Sequence, residues 1–200
     1  MGSFLAFSIK DVLSHEESDF LANFSRHLGF REEAPGIYTP PGMRLNRAVH
    51  WIASESMMQQ LCDIISDFVP KVIDGCTFAN CLSHRLNCYQ YLGTSHMFTS
   101  HIDGDWPGYY YDPATKSVRL WEGLTSKLSM LLYLTDHAYP SGSTRLYNGT
   151  SYQDISPEEG SFLFFRHGSN PNSVLHSGEP LLADAEEKIV VRINVMYTDL

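Results

Sequence analysis

The sequence is short of basic residues. Its 14 lysines and arginines stand against 23 aspartates and glutamates, which gives a formal net charge of −9. A protein that binds nucleic acid through the phosphate backbone needs a basic surface, and no basic stripe is visible in this sequence. We therefore expect no nucleic-acid partner, although the composition leaves room for a small basic cleft.

The sequence also lacks the marks of membrane insertion and secretion. No apolar run reaches the roughly 20 residues that cross a bilayer. The opening residues, MGSFLAFSIKDVLSHEE, contain no positively charged segment ahead of an apolar one, as a signal peptide would. These absences predict a cytoplasmic protein with no membrane partner, and they say nothing of its oligomeric state.

The cysteines show no Cys-x-x-Cys spacing. They are Cys62, Cys76, Cys81 and Cys88. In a reducing compartment, cysteines spaced in this way are expected to be free thiols rather than disulfides or a metal site. Cys88 stands in a strand-like segment, so we expect its thiol to face a core.

Two amphipathic helices are predicted in the first part of the chain, which we expect to be a helical support region over residues 1–81. Ser14 and Glu17 form a capping box ahead of the first helix. The second helix should run from about Glu55 to Phe68, where a proline follows closely. Between the helices, the segment 30–53 is expected to be loop-like or extended.

From residue 82 onward, strand-like segments alternate with turn signals, which is typical of a β-sandwich or closed barrel. We treat 82–200 as the core of a single domain. The last strand alternates most regularly. Its apolar face, which should pack on the helices, carries Ile189, Val191, Ile193, Val195 and Tyr197. Its other face, which should point into the barrel lumen, carries Lys188, Val190, Arg192, Asn194 and Met196.

A candidate metal site starts from two residues in one strand-like segment. His101 and Asp103 are two apart, so their side chains should point to the same face. A further histidine would complete the 2-His-1-carboxylate triad of non-haem Fe(II) oxygenases. His176, shortly before the basic face of the last strand, is the preferred third ligand, and His167 is its rival. Regular alternation would turn three neighbours outward: Phe98, Ser100 and Ile102.

The chain from about Leu82 to Tyr197 resembles the prolyl 4-hydroxylase-like branch of the 2-oxoglutarate/Fe(II)-dependent dioxygenases. The matching motifs stand in the family's order. They are L-N-C-Y-Q-Y at 86–91, F-x-x-H-x-D-G at 98–104, P-x-x-G-x-x-L-x-F at 157–165, H-x-G-x-P at 176–180 and K-x-V-x-R-x-x-V-x-Y at 188–197. One segment departs: residues 141–144 read Ser-Gly-Ser-Thr where relatives carry Gly-Gly-Glu-Thr, which we expect to affect substrate contacts.

The resemblance implies a mostly β fold with α-helices: a double-stranded β-helix, or jelly-roll barrel, with the N-terminal helices packed on its outer face. It implies a dioxygenase that uses Fe(II), 2-oxoglutarate and O2, with ascorbate as a candidate helper, and that releases succinate and CO2. The metal would be held by His101, Asp103 and His176. The substrate would be a peptidyl prolyl group or a small molecule. Two alternatives stay open: a catalytically inactive binding or sensor module on the same fold, and a metal barrel of the cupin type.

The resemblance also indicates which residues contact the co-substrate and the substrate. The far carboxylate of 2-oxoglutarate needs a cation, and Lys188 and Arg192 are both candidates, about 13 Å apart along the strand. Tyr91 is a further co-substrate contact. Arg192 stays open because the gap from His176 to Lys188 is longer than the family's usual one. The candidate substrate contacts are Arg85, Asn87, Trp106, Tyr109 and Trp121. The aromatic segment 104–126 either forms a lid over the site or packs outside the barrel.

Overall fold

The computed structural model describes residues 5–32, 40–136, 141–183 and 186–199. Within them the chain forms two α-helices, α1 (His15–Leu28) and α2 (Glu55–Ile65), and a short 3-10 helix, Gly93–Ser95. The strands are β1 (Ala6–Ile9), β2 (Arg47–Ile52), β3 (Val72–Ile73), β4 (Cys76–Leu82), β5 (Arg85–Leu92), β6 (Phe98–His101), β7 (Tyr109–Asp112), β8 (Ser117–Leu120), β9 (Leu124–Tyr133), β10 (Thr144–Asn148), β11 (Ser151–Ile155), β12 (Phe162–Arg166), β13 (His176–Gly178) and β14 (Glu187–Asp199).

The strands form two antiparallel sheets that face each other. The major sheet runs β1-β12-β9-β14-β4-β3, and β5 joins it to β2 by pairing with both β14 and β2. The minor sheet runs β11-β10-β13-β6, while β7 and β8 form a separate hairpin. Apolar side chains from the inner faces of both sheets make one core, in which Tyr133 and Phe165 of the major sheet meet Leu146 of the minor sheet. This is the predicted jelly-roll barrel.

The two helices pack on the outer face of the major sheet. Leu21 of α1 and Leu61 and Ile65 of α2 share a buried cluster with the apolar face of β14. That cluster contains every residue predicted for this face: Ile189, Val191, Ile193, Val195 and Tyr197. The predicted facing of the last strand is therefore confirmed, because a strand with one apolar side must bury that side.

Each helix begins at a serine. The Ser14 hydroxyl accepts the Glu17 N–H, and the Glu17 carboxylate accepts from Ser14 in return, so the predicted capping box is present. Helix α2 begins after Ser54, whose hydroxyl accepts the Met57 N–H, and it ends at Ile65, three residues before the predicted end.

The first 81 residues contribute strands as well as helices, which the sequence pattern did not indicate. β1 pairs with β12, β2 pairs with β5, and β4 pairs with β14. β2 lies in the segment expected to be loop-like or extended, of which residues 33–39 are outside the described residues. β4 ends at Leu82 and so runs across the predicted boundary. These strands are short and pair with distant parts of the chain, so local alternation alone is a weak guide to them.

The register of β14 on β5 arranges the lumen in rows. Lys188 lies opposite Tyr91, and Arg192 lies opposite Asn87, with one row between them. Along the lumen, the lysine and the tyrosine therefore lie at one end of these two strands, and the arginine and the asparagine lie toward the other.

Two further sequence-based expectations concern the thiols and the membrane. The four cysteines are free, as predicted. Cys88 is fully buried, also as predicted, in the outer core, which is the apolar cluster between the helices and the major sheet. Among the described residues, no helix combines the length and apolar character needed to cross a bilayer.

Candidate metal centre and anion pocket

Three candidate metal ligands meet at the open side of the lumen. His101 ends β6 and His176 begins β13, and these two strands pair with the histidines directly opposite each other. Asp103 follows two residues after His101. One ligand atom from each of the three lies within 4.8 Å of the others. The Nε2 atom of His101 is 3.5 Å from Asp103 Oδ1, and the Nε2 atom of His176 is 3.8 Å from Asp103 Oδ2.

Both histidines are oriented in the same way by the main chain. His101 Nδ1 lies 2.7 Å from the Thr99 carbonyl, and His176 Nδ1 lies 3.1 Å from the Val174 carbonyl. A carbonyl can only accept, so each Nδ1 is the donor in this contact, and Nε2 is the ring nitrogen left to bind a metal. Burial lowers the pKa of His176 to about 4, against the opposing effect of Asp103, so this imidazole is neutral and able to bind a cation.

One oxygen of the carboxylate ligand meets both a hydroxyl donor and a cation. Ser129 Oγ donates to Asp103 Oδ2 at 2.6 Å, and Arg192 Nε forms an ion pair with the same oxygen at 3.1 Å. Burial by itself would raise the pKa of Asp103, but the charge of Arg192, with smaller effects of both histidines, holds that pKa well below its usual range. The site thus presents a carboxylate oxygen and two imidazoles, the donor set that non-haem Fe(II) sites use.

The regular alternation predicted for this strand is wrong at Phe98. Its ring stacks on the His101 ring with 3.7 Å between centroids and lines the lumen, although outward facing was expected. The register between β6 and β13 shifts here: Phe98 to His101 spans three residues, while the partner segment, Gly178 to His176, spans two. The extra residue reverses the facing of the side chains before it.

His167, the rival third ligand, is buried close to the triad without joining it. Its Nδ1 lies 2.8 Å from Ser129 Oγ and its Nε2 lies 2.8 Å from Ser126 Oγ. Both ring nitrogens are therefore engaged by hydroxyl groups. Among the described residues, the group that could hold a metal ion consists of His101, Asp103 and His176.

A buried ammonium group lies at the far end of the same cleft. Lys188 is 1% exposed, and its Nζ donates to the Gly142 carbonyl at 2.6 Å and sits 3.9 Å from the centre of the Tyr91 ring. Burial lowers the pKa of Lys188 to about 7, with Glu179 opposing this effect. No carboxylate of the described residues is within salt-bridge distance of Nζ. An ammonium group whose described partners are one carbonyl and one ring, in the cleft that the metal ligands also line, fits a carboxylate ligand.

The segment Ser141–Thr144, which differs from the family's Gly-Gly-Glu-Thr, borders this lysine. The Gly142 carbonyl accepts from Lys188, and the Thr144 hydroxyl accepts from Tyr133 at 2.7 Å. Both Thr144 and Lys188 line the cleft that also holds the metal ligands. Gly142 and Thr144 are also the two residues that Ser-Gly-Ser-Thr shares with Gly-Gly-Glu-Thr, so an effect of the two differing residues, Ser141 and Ser143, on substrate contacts stays a prediction.

Arg192 lies beside the triad and not at the lysine end. Besides its ion pair with Asp103, it donates from a terminal nitrogen to Asn194 Oδ1 at 3.2 Å. Lys188 and Arg192 were both predicted as co-substrate contacts. Of the two, Arg192 is the one already paired with an acidic residue.

A second cleft opens beyond Arg192. Four of the five predicted substrate residues line it: Arg85, Asn87, Trp106 and Tyr109. Trp121 lies outside this lining, because it stacks on Tyr110 at 5.5 Å and meets the His84 ring edge-on at 5.2 Å. The hairpin that carries these aromatics is tied to the barrel, since the His84 N–H donates to the Tyr109 carbonyl at 2.7 Å.

Sequence reasoning missed the polar residues that support the triad. Ser126 and Ser129 stand in strand β9, which is mainly apolar from Leu128 onward, and are fully buried. Small hydroxyl residues inside an apolar strand are an available signal, because a buried hydroxyl needs a partner. His167 had been noticed only as a rival ligand.

Comparisons with known proteins agree with this architecture. No protein-family profile and no curated protein matches the sequence. Solved structures do match. A viral collagen prolyl hydroxylase from Paramecium Bursaria Chlorella virus-1, in complex with 2-oxoglutarate, is 18% identical with a TM-score of 0.64, over 98% of this chain and 97% of the other. A Pseudomonas putida prolyl-4-hydroxylase is 14% identical with a TM-score of 0.62, over 95% and 91%.

A third similar structure was solved with a peptide. It is a Trichoplax adhaerens prolyl hydroxylase in complex with a fragment of the hypoxia inducible factor oxygen degradation domain. It is 16% identical to this chain with a TM-score of 0.62, over 97% of this chain and 83% of the other. The chain thus has the jelly-roll fold of the prolyl hydroxylases, to which its motifs pointed.

Proposed function

We propose that this protein is an Fe(II)- and 2-oxoglutarate-dependent dioxygenase that hydroxylates its substrate. One observation carries the proposal: a His–Asp–His triad and a buried lysine line the same cleft. A cation at that depth suits a short dicarboxylate whose other end reaches the metal.

Each residue of the cleft has a distinct part in this proposal. His101, Asp103 and His176 would hold Fe(II) through Nε2, a carboxylate oxygen and Nε2. Lys188 would bind the far carboxylate of 2-oxoglutarate, with the Tyr91 ring beneath its ammonium group. The bound metal, with co-substrate and O2, supplies the oxidising chemistry and yields succinate and CO2. The carboxylate of Asp103 favours hydroxylation over halogenation, since related halogenases lack that ligand.

The substrate is proposed to enter from the other side of Arg192. Trp106 and Tyr109 give this cleft aromatic walls, and Arg85 and Asn87 give it hydrogen-bond donors. A peptidyl prolyl group is one candidate, because a neighbour in fold was solved with a peptide; a small molecule is the other. We assign Trp121 to the packing of the hairpin.

The proposal is tested by the turnover of 2-oxoglutarate. Purified protein with Fe(II), ascorbate and labelled 2-oxoglutarate should form succinate even without a prime substrate, at a low rate. His101→Ala should abolish this because the metal loses a ligand. His27→Ala, at an exposed position of α1, is the matched control and should leave the rate unchanged.

Peptides and small molecules are then screened by mass spectrometry for the gain of one oxygen. Iron-independent succinate, or equal rates in His101→Ala and wild type, would sink the proposal. Binding of metal and 2-oxoglutarate with no oxidised product across the screen would instead favour the inactive sensor module.

A further inference from the structure

A buried chain of hydrogen bonds joins the carboxylate ligand to the loop that follows it. Ser129 Oγ lies 2.6 Å from Asp103 Oδ2 and 2.8 Å from His167 Nδ1. The other ring nitrogen, Nε2, lies 2.8 Å from the Ser126 hydroxyl. That hydroxyl accepts the main-chain N–H of Trp106 at 2.9 Å. This hydrogen-bond chain therefore begins at Trp106, which lines the second cleft (the substrate-side cleft), and ends on Asp103, a candidate metal ligand.

The side chains in this hydrogen-bond chain are buried away from solvent. Ser126 and Ser129 have no exposed surface, and His167 is 1% exposed. Burial lowers the pKa of His167 to about 4, and Arg192 acts in the same direction, against Asp103, Asp105 and a hydrogen bond to the Ser126 backbone. Because water does not reach these groups, each donor and acceptor has to find its partner within the chain.

The direction of the hydrogen bonds follows from the Asp103 end. An ionised carboxylate can only accept, so the Ser129 hydroxyl must give its single proton to Oδ2. Ser129 Oγ can then only accept from His167, which places a proton on Nδ1. In a neutral ring Nε2 is then an acceptor and takes the Ser126 proton. Each donor in the chain thus faces one acceptor.

We propose that His167 is a positioning residue, held as the Nδ1–H tautomer, and that its hydrogen-bond chain keeps Oδ2 of Asp103 occupied so that Oδ1 is turned toward the metal. The same chain fixes the Trp106 loop to the ligand, so one wall of the substrate-side cleft and the carboxylate are oriented together. The effect on the metal rests on the proposed function, whereas the tautomer does not.

Two substitutions separate the two sides of the ring. Asparagine places its amide near the position of Nδ1, so His167→Asn can still donate to Ser129 but cannot reach Ser126. Glutamine places its amide near the position of Nε2, so His167→Gln can still reach Ser126 but leaves Ser129 without its donor. If His167 only filled space, these two variants would behave alike.

The tautomer is measured in the metal-free wild-type protein. With ¹⁵N-labelled histidine, long-range nitrogen–proton correlation spectra distinguish a ring protonated at Nδ1, at Nε2 or at both. The His167 signal is assigned by its loss in His167→Asn. We expect a protonated Nδ1 and an unprotonated Nε2 near neutral pH. A ring protonated at Nε2, or at both nitrogens, would overturn the inference.

The positioning effect is measured as affinity for Mn(II), followed by electron paramagnetic resonance. Ser129→Ala and His167→Gln should each bind about tenfold more weakly, as expected when the partner of a ligand is lost. His167→Asn should stay close to wild type, while its Trp106 amide exchanges hydrogen faster than in His167→Gln. Equal losses in the Asn and Gln variants, or no loss in Ser129→Ala, would contradict positioning by His167.

These two measurements separate this inference from the proposed function. Wild-type protein that binds no Mn(II) would refute the metal centre, and the effect on the metal with it. The tautomer measurement would still decide whether the buried chain has the stated direction.

Discussion

At the scale of single residues, the cleft combines groups with opposite charge states. Asp103 is buried and anionic because Arg192 pairs with it, and His176 is buried and neutral because burial disfavours its charged form. Lys188 is poised between its two forms, since burial brings its pKa to about 7. The proposed co-substrate anchor is therefore a residue whose charge responds to pH in the neutral range.

We predict that the affinity for 2-oxoglutarate falls as the pH rises. The co-substrate stays a dianion, while Lys188 loses its proton above about pH 7, so its attraction for a carboxylate is present below that pH and lost above it. The affinity should drop about tenfold between about pH 7 and pH 8.5, measured by calorimetry with Mn(II)-loaded protein.

Lys188→Arg is the matched control for this pH dependence, because arginine stays charged throughout the range. Any pH dependence that remains in this variant belongs to other groups. If wild type and Lys188→Arg show the same slope, Lys188 is not the anchor.

At the scale of elements, strand pairing assembles the triad and caps position the helices. The β6–β13 pair sets two histidines opposite each other, and its register shift brings Phe98 onto the His101 ring. On the outer side, α1 begins at the Ser14 capping box, with Glu16 and Glu17 in its first turn near the positive end of the helix dipole.

The capping box gives a prediction at this scale. Ser14→Ala should lower the free energy of unfolding by about 1 kcal/mol, because the Glu17 N–H loses its acceptor. Chemical denaturation measures the change. Ser14→Asp retains an acceptor at the same place and should cost much less; an equal loss in both variants would argue against the cap.

At the scale of the whole molecule, the major sheet separates two cores. Its outer face buries β14 side chains against the helices, and its inner face, with the minor sheet, encloses the cleft. The central strand β14 pairs with β9, β5 and β4, so it contributes to both cores at once. The outer core thus packs against the outer face of the strand that carries Lys188 and Arg192.

The outer core gives a matched pair of isoleucines. Ile193 is fully buried at its centre, whereas Ile64 on α2 is 41% exposed. Ile193→Ala should destabilise the protein by about 2–5 kcal/mol, since it loses buried contacts and leaves a cavity. Ile64→Ala should cost far less. Thermal or chemical unfolding measures both, and similar losses would show that the outer core is not where stability is concentrated.

Much of the architecture can be predicted from local patterns in the sequence. The alternation of apolar and polar residues along β14 predicted which way each face points, because a strand with one apolar side has to bury that side. The H-x-D spacing placed His101 and Asp103 on one side for a similar reason. The segment 1–81 was harder to predict, since its short strands are defined by partners elsewhere in the chain, such as β12 for β1.

The sequence by itself determined the capping box of α1, the facing of the last strand and the chemistry of the candidate ligands, because these depend on residues close together in the chain. Only the tertiary structure decided that His176 rather than His167 meets the other two ligands, and that Arg192 pairs with Asp103 while Lys188 stands at the far end. Those outcomes depend on the register between distant strands and on one irregular pairing, and a shift of one residue there would reverse which side chains face the lumen.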